Sequence, residues 1–171
     1  MDLLHRHQTG ELKCEIGLII RYHQSATSLG EYYGIPFYYL PVTAEIKPKA
    51  EIEQLELLAR HSVDLIVLAR YMQVFSAGFV SEMSAFTGAN PYHGSVCPRV
   101  KLIGSTTHYV TDILVEGPII ELDVTRISHR DQLEDLIQKG RDLERVVLSR
   151  AVRWHLDHRI LCYANKTVVF D

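Results

Sequence analysis

The alternation of apolar runs with helical segments between residues 15 and 69 most constrains what this chain can fold into. Residues 15–20 (EIGLII) and 64–69 (DLIVLA) are apolar almost throughout, which is typical of parallel strands covered on both faces. Between them, residues 37–40 (FYYL) predict a third strand. Helical segments separate these strands, so the order β-α-β-α-β predicts a layered α/β fold.

Two helices are predicted within that pattern. Residues 25–33 form the first, and Gly34 follows it at a position where glycine often ends a helix. The second begins near Pro48, because proline is tolerated in a first helical turn. Its predicted apolar face is formed by residues at helical spacing, namely Ile52, Leu55, Leu58 and Ala59.

After residue 76 the pattern loosens. Residues 84–99 are rich in Gly, Pro, Ser and Asn and predict a long loop. Residues 101–110 and 118–127 predict two extended segments, and the second alternates in polarity, so that one face is expected to meet water. Residues from 131 onward predict a helix interrupted near Gly140, followed by a small terminal hairpin.

Composition excludes several classes of protein. A chain of 171 residues suits one domain, and a net charge of -3 does not favour a broad nucleic-acid surface. No apolar run reaches the roughly 20 residues of a membrane span, and the N-terminus lacks a signal sequence. Three isolated cysteines fit a reducing compartment. We therefore expect the cytoplasm or an organelle matrix, without membrane or nucleic-acid partners.

No self-sufficient catalytic motif is present. The chain has no GxGxxG, P-loop, HExxH or paired CxxC sequence. Two histidine pairs, His5 with His7 and His155 with His158, lack a third ligand nearby and are interpreted as solvated surface residues rather than metal ligands. No metal site is expected.

Three local features could carry chemistry. His108 lies near the end of a predicted strand, where ligands gather in open α/β sheets, although a core histidine would give the same pattern. Residues 69–76 (ARYMQVFS) follow a buried strand and could grip a flat heterocycle, or could simply begin a helix. Asp112, Glu116 and Asp123 cluster near a turn and could supply a general base, but acidic turn residues are usually solvated.

Several segments together resemble one family. The motifs YGIPF, LARYMQ, SHRD and NKTVVF, with the segment KLIGSTTHYVTDILVEGPII, are similar to formyltetrahydrofolate deformylases over nearly the whole chain. They are less similar to glycinamide ribonucleotide formyltransferases. The resemblance implies a Rossmann-like, formyltransferase-type α/β fold: a mostly parallel sheet flanked by helices. It also implies hydrolysis of 10-formyltetrahydrofolate to tetrahydrofolate and formate, with no required cofactor, in a homo-oligomer.

The resemblance also implies site residues. His108 matches the family's active-site histidine on the strand. The folate pocket would be lined on one side by Met72, Gln73, Val74 and Phe75. Its other side would be formed by Thr111, Asp112, Ile113, Leu114 and Val115.

Three departures from the family pattern are expected to matter. The family's N-terminal ACT domain and first strand have no counterpart in this single domain, residues 1–171. Between about residues 80 and 86, on the order of ten residues with a central strand and an Asn-x-His motif are missing. Val115 stands where the family has its essential aspartate.

These departures leave several interpretations open. The first is a deformylase-family hydrolase whose activity is impaired. The second is a non-catalytic folate-binding or interaction protein, and a third is transfer of the formyl group to an amine. Formamide hydrolysis needs an activated water and donors aimed at the oxyanion, and a valine supplies neither.

Overall fold

The computed structural model describes residues 2–22, 27–43, 45–69, 71, 75–82, 84–88, 101–111 and 117–170. Its helices are α1 (Asp2–Gln8), α2 (Thr27–Tyr33), α3 (Lys47–Arg60), α4 (Ala77–Glu82) and α5 (Leu133–Leu156). Its strands are β1 (Ile19–Arg21), β2 (Phe37–Tyr39), β3 (Leu65–Leu68), β4 (Ser84–Gly88), β5 (Leu102–Tyr109), β6 (Ile119–Arg126), β7 (Ile160–Tyr163) and β8 (Lys166–Val169).

Among the described residues, the strands form three separate sheets. Strands β1 and β2 pair in parallel, and β7 and β8 form an antiparallel hairpin. The largest sheet has the order β3-β4-β5-β6, in which β3 and β4 are parallel and the other two pairings are antiparallel. The predicted α/β class is confirmed. The described sheet is mixed rather than mostly parallel, because the chain reverses direction between β4 and β5 and again between β5 and β6.

Strand β4 corrects the prediction of a loop from residue 84 and of a missing central strand. It lies between β3 and β5, pairing Ala85 with Ile66 and Thr87 with His108. Its sequence, SAFTG, contains small and polar residues that are typical of loops. A strand with a partner on each side gains two hydrogen-bonded ladders, and these outweigh a weak intrinsic preference.

Two apolar clusters cover the two faces of the sheet. Leu65 and Val67 of β3 pack into a cluster built on α5 and Leu12. Leu68 and Ile66 pack on the opposite side, against Leu58 of α3 and Phe79 of α4. This alternation follows from the period of two along a strand. The uniformly apolar sequence of residues 64–69 is therefore explained by burial on both faces.

The buried face of α3 overlaps the predicted one only in part: Leu58 is buried and Leu55 packs beside it, as predicted. Ile52 is 60% exposed, whereas Glu51 and Gln54 lie in the interior with Leu57 and Leu58. Proline in the first turn is confirmed. The two polar residues occupy positions with the same helical spacing as the leucines, so the period alone did not distinguish this face from its neighbour.

Helix α5 runs without a break through Gly140, contrary to the prediction of an interruption there. A capping box joins Gln132 to Asp135 at its start, and Gly140 is buried. A glycine inside a helix costs only about 1 kcal/mol relative to alanine, which a long packed helix tolerates. The predicted terminal hairpin is confirmed as β7 and β8, with its turn at Ala164 and Asn165.

Strand β6 turns its apolar side chains outward, which corrects the expectation that its polar face meets water. Leu122 is 55% and Val124 49% exposed, whereas Asp123 faces α5 and pairs with Arg150 at 3.1 Å. The pairing of β5 with β6 has a register shift between Thr107 and His108. Because of this shift, Ile120 packs on the α5 side, although strict alternation would place it on the same face as Leu122. Strand irregularities of this kind re-aim side chains that simple alternation would place elsewhere.

Candidate functional site

The candidate site is built around His108, the last residue but one of β5. Tyr109 packs in the cluster beneath α5, and Val110 packs in the cluster beneath α3 and α4. Alternation along the strand therefore places His108 on the α3–α4 face. The imidazole is only 3% exposed, between Thr87 of β4 and Ile119 of β6 in the strand register.

Hydrogen bonding fixes which nitrogen of His108 carries the proton in the neutral ring. Nδ1 lies 2.9 Å from the carbonyl oxygen of Tyr109. A carbonyl oxygen only accepts hydrogen bonds, so Nδ1 is the donor and Nε2 is left with a free lone pair. Nε2 is buried and, among the residues that the structure describes, has no hydrogen-bond partner. An unmade hydrogen bond at a buried polar atom costs about 1–3 kcal/mol, so this nitrogen is a natural point of attachment for a ligand.

Gly117 packs directly against the same histidine. A Cβ at this position would overlap the carbonyl oxygen of Tyr109, and would lie 3.2 Å from Nδ1 of His108. Gly117 is buried, and the next residue, Pro118, accepts a hydrogen bond from Tyr109 N–H at 3.1 Å. Because Gly117 has no side chain, the backbone can pass directly against His108 before it enters β6.

An aromatic stack stands on the same face of the sheet as His108. Phe75 stacks on Phe79 with ring centroids 4.0 Å apart and an angle of 4°, and on Tyr71 at 4.6 Å. Tyr22 meets Tyr71 at 5.1 Å. Burial raises the pKa of the Tyr71 phenol, so it stays protonated at neutral pH and keeps its hydrogen-bond donor. Phe75 and Phe79 are buried and Tyr71 is half-buried, so a heterocycle could meet this stack only at the Tyr71 end.

Glu51 connects α3 to the segment that contains Phe75 and Phe79. The sequence analysis did not predict this role. Its Oε1 accepts a hydrogen bond from Ser76 N–H at 3.1 Å and lies 3.8 Å from Nζ of Lys47. The Ser76 hydroxyl in turn accepts from Phe79 N–H at 3.3 Å and caps the start of α4. One turn along α3, Gln54 is buried with Nε2 unpartnered. The spacing of Glu51 to Leu58, seven residues on, is compatible with burial on the same face of α3 but does not indicate the contact with Ser76.

The structure describes three of the predicted site residues. His108 and Phe75 are buried on the α3–α4 face, and Thr111 is half-buried just beyond β5. The remaining predicted residues lie outside the described residues; they are Met72, Gln73, Val74, Asp112, Ile113, Leu114, Val115 and Glu116. Of the acidic candidates, Asp123 is directed to Arg150 on the opposite face, which removes it from the site.

Of the two histidines at the end of α5, His158 is exposed as predicted, whereas His155 is not a solvated surface residue. His155 is half-buried, and its Nδ1 lies 3.1 Å from the Tyr109 hydroxyl. Burial, and then the neighbouring charge of His158, lower the pKa of His155. Within the described part of the chain, no three His, Cys, Asp or Glu side chains are grouped to hold a metal ion. No helix in that part is long and apolar enough to cross a membrane.

Comparison with known proteins identifies the class. The sequence model of the family described as "Formyl transferase" matches residues 2–152. A glycinamide ribonucleotide transformylase from Symbiobacterium toebii shares the fold, with a TM-score of 0.88 at 20% identity over 99% of this chain and 87% of that one. This chain belongs to the formyl transferase family, and the predicted formyltransferase-type fold is confirmed.

Within that family, the resemblance to formyltetrahydrofolate deformylases is also confirmed. The deformylase of Synechocystis is 52% identical over 181 residues, covering 99% of this chain and 64% of the relative. The Bacillus subtilis deformylase is 47% identical, with 61% of the relative covered. The crystal structure of a deformylase from Pseudomonas syringae superimposes with a TM-score of 0.94 at 44% identity, over 99% of this chain and 61% of that one. The chain thus spans less than two thirds of these relatives.

Proposed function

We propose that this chain carries the folate site of a formyltetrahydrofolate hydrolase and binds a reduced folate beside His108. We further propose that its hydrolysis of 10-formyltetrahydrofolate to tetrahydrofolate and formate is impaired. The observation that carries the proposal is the buried, unpartnered Nε2 of His108 on the same sheet face as the aromatic stack. The similarity to proteins named formyltetrahydrofolate deformylase supports it.

The chemistry of a neutral His108 supports binding more strongly than turnover. With Nδ1 donating to Tyr109, Nε2 can accept a hydrogen bond from a folate N–H or a water. The same lone pair cannot donate to a tetrahedral oxyanion, which needs aimed N–H or O–H groups. A second group must therefore position the water or stabilise the oxyanion.

Val115 stands where the resemblance places a carboxylate for that role. An isopropyl group neither accepts a proton nor holds a water. A missing segment would add to this deficit. The match to the Synechocystis deformylase extends over 181 residues, whereas this chain has 171. This difference supports the proposal that a segment with the Asn-x-His motif, between about residues 80 and 86, is missing from the single domain.

Glu51 is a carboxylate near the aromatic stack, and its contacts favour a structural role. Its Oε1 is already engaged by Ser76 N–H and faces Lys47. Moving it to a reacting centre would leave the Ser76 amide unpaired at a cost of about 1–3 kcal/mol. We therefore assign Glu51 to positioning the segment that contains Phe75, and not to general base catalysis.

The second candidate function is non-catalytic folate binding or an interaction role, and the observation that favours it is the valine at position 115. Two measurements on the purified chain separate the candidates. Calorimetric titration with tetrahydrofolate measures binding, and a formate dehydrogenase-coupled assay with 10-formyltetrahydrofolate measures hydrolysis. We expect binding with little or no turnover. Turnover comparable with an intact deformylase would refute impairment, and absence of binding would refute the folate site.

Val115→Asp tests whether one carboxylate is enough. We expect this variant to bind folate as the parent does and to remain without measurable formate release, because the Asn-x-His donors are still missing. The matched control is Val115→Asn, which has similar size and no charge. Formate release from Val115→Asp alone would show that the single carboxylate is the whole deficit.

The proposal also covers the cellular location, partners and oligomeric state of the protein. We propose a cytoplasmic or organelle-matrix protein that needs no cofactor and has no nucleic-acid or membrane partner. We also propose a homo-oligomer, supported by exposed apolar side chains on the face of β5 and β6 opposite to α5. These side chains are Leu102, Ile119, Leu122 and Val124.

A further inference from the structure

A thiol, a phenol and an imidazole meet at the end of α5, on the sheet face opposite to His108. The Tyr109 hydroxyl lies 3.1 Å from Nδ1 of His155, and the centroids of the two rings are 6.1 Å apart. Burial raises the pKa of the Tyr109 phenol most, followed by the charge of Cys162 and a hydrogen bond between these two side chains. Cys162, Tyr109 and His155 therefore form one hydrogen-bonded chain.

The hairpin of β7 and β8 brings the thiol to this place. Ile160 packs in the same apolar cluster as Tyr109, and Cys162 lies two residues further along β7, on the same side of that strand. The residue opposite Cys162 is Thr167, whose hydroxyl donates to the carbonyl of Ile119 at the start of β6. The inner side of the hairpin is thus held against the sheet, whereas Cys162 remains exposed to solvent.

The imidazole of His155 is suited to receive a proton through the phenol. Burial, and then the charge of His158, lower the pKa of His155, whereas the charge of Asp64 raises it. Because the net shift is downward from the ordinary value, the ring is neutral at pH 7. When Nδ1 carries no proton, it accepts the O–H of Tyr109, and the phenol oxygen keeps a lone pair for the S–H of Cys162.

We propose that Cys162 is a site of reversible thiol–disulfide exchange with small disulfides, assisted by Tyr109 and His155. The thiol proton passes to the phenol oxygen while the phenol proton passes to Nδ1, which leaves a thiolate beside an imidazolium. The thiolate attacks one sulfur of the disulfide R–S–S–R, so that a new S–S bond forms at Cys162 as the old one breaks. The leaving thiolate takes up a proton, and the products are a mixed disulfide and R–SH. The sulfur of Cys162 is oxidised, and the departing half of the disulfide is reduced.

Cys14 provides a contrast within the same neighbourhood. It packs against the apolar cluster that contains Tyr109, and it is half-buried. Burial raises the pKa of its thiol, which makes the reactive thiolate scarcer at pH 7. The exchange proposed for Cys162 should therefore not occur at a comparable rate at Cys14. The proposal does not depend on folate binding, because the folate site is assigned to the other face of the sheet.

Peptide mapping measures the exchange at each cysteine, since trypsin places Cys14, Cys97 and Cys162 in different peptides. The purified chain is treated with oxidised glutathione at pH 7, quenched with acid at increasing times and digested. The reference for an unassisted thiol is the acetylated peptide Ile-Leu-Cys-Tyr-Ala-Asn-Lys, which is the sequence of residues 160–166. We expect the adduct at Cys162 to form roughly tenfold faster than in this peptide, and dithiothreitol to remove it. A rate in the chain equal to that of the peptide, or to that of Cys14, would overturn the proposal.

Three variants test the assistance by the phenol and the imidazole. Tyr109→Phe removes the hydroxyl and keeps the ring, and His155→Gln removes the base, so each should bring the rate at Cys162 to within about twofold of the peptide. The matched control is Tyr163→Phe, which deletes the hydroxyl of a 74% exposed neighbour and should leave that rate unchanged. The rate at Cys14 reports on packing, because a loosened cluster would expose this thiol and speed its reaction. Unchanged rates at Cys162 in both Tyr109→Phe and His155→Gln, or an equal slowing in Tyr163→Phe, would refute the assigned roles.

Discussion

Replacing Gly117 with alanine places a methyl group where the backbone of β5 already lies. The added Cβ would overlap the carbonyl oxygen of Tyr109 and lie 2.8 Å from its carbonyl carbon. Backbone cannot rotate away as a side chain does, so the turn into β6 must move. Overpacking costs about 1–3 kcal/mol. Loss of the bond from Tyr109 N–H to Pro118 adds about 1 kcal/mol, which gives an expected loss of roughly 2–4 kcal/mol.

Two other glycines provide a graded comparison. In Gly104→Ala the nearest atom is Cγ1 of Val124 at 3.3 Å, and this side chain can shift, so we expect a change within about 1 kcal/mol. In Gly78→Ala the nearest atom is the Ser76 hydroxyl at 3.9 Å, and alanine favours the helix α4, so stability should stay equal or rise by up to about 1 kcal/mol.

Urea unfolding followed by circular dichroism measures the three variants against the parent chain. At about 2–4 °C per kcal/mol for a chain of this size, Gly117→Ala should also lower Tm by roughly 10 °C. Because Gly117 holds the chain against His108, folate affinity should fall in the same variant. A Gly117→Ala protein within about 1 kcal/mol of the parent, or no less stable than Gly104→Ala, would refute the packing assigned to this turn.

Other perturbations test the site and its surroundings. Glu51→Ala leaves the Ser76 N–H unpaired and should cost about 1–3 kcal/mol in urea unfolding, whereas Glu51→Gln keeps an acceptor and should cost less; equal losses would contradict the assigned bond. Because the pKa of His155 is lowered, the unfolded chain takes up this proton first as pH falls, so stability declines below the ordinary value of 6.5. His155→Gln should flatten that decline in unfolding curves, and an unchanged slope would contradict it. Replacing Leu122 and Val124 with lysine should shift sedimentation toward monomer if their face mediates association.

Helices and strands could be predicted where the hydrophobic periodicity and the flanking glycine or proline residues indicated the same boundaries. Gly34 adopts a φ of 65°, and α2 ends just before it, as expected for glycine after a helix. The apolar run at residues 64–69 gave β3 because burial on both faces leaves little room for polar residues. Strand β4 could not be recognised, because its formation depends on two neighbours distant in sequence and not on its own composition.

The site was predictable only in part, because some of its contacts join residues that are distant in the sequence. His108 could be found because it lies near the end of a predicted strand, and because the surrounding motif resembles a known family. The role of Glu51 depends on a contact with Ser76, 25 residues away, and no local pattern predicts it. The inverted exposure of β6 depends on a register shift that leaves no mark on its alternating sequence.

The free edge of β6 has a consequence for how the protein behaves when concentrated. In the β5–β6 ladder, Leu122 and Val124 point their N–H groups outward, and the carboxylates of Glu121 and Asp123 accept them at 2.9 and 2.8 Å. With those two donors occupied, an incoming strand finds carbonyl acceptors there but not these N–H groups, and Thr167 of β8 already donates to the carbonyl of Ile119 in the same strand. Extension of the sheet into a fibre at this edge is therefore disfavoured.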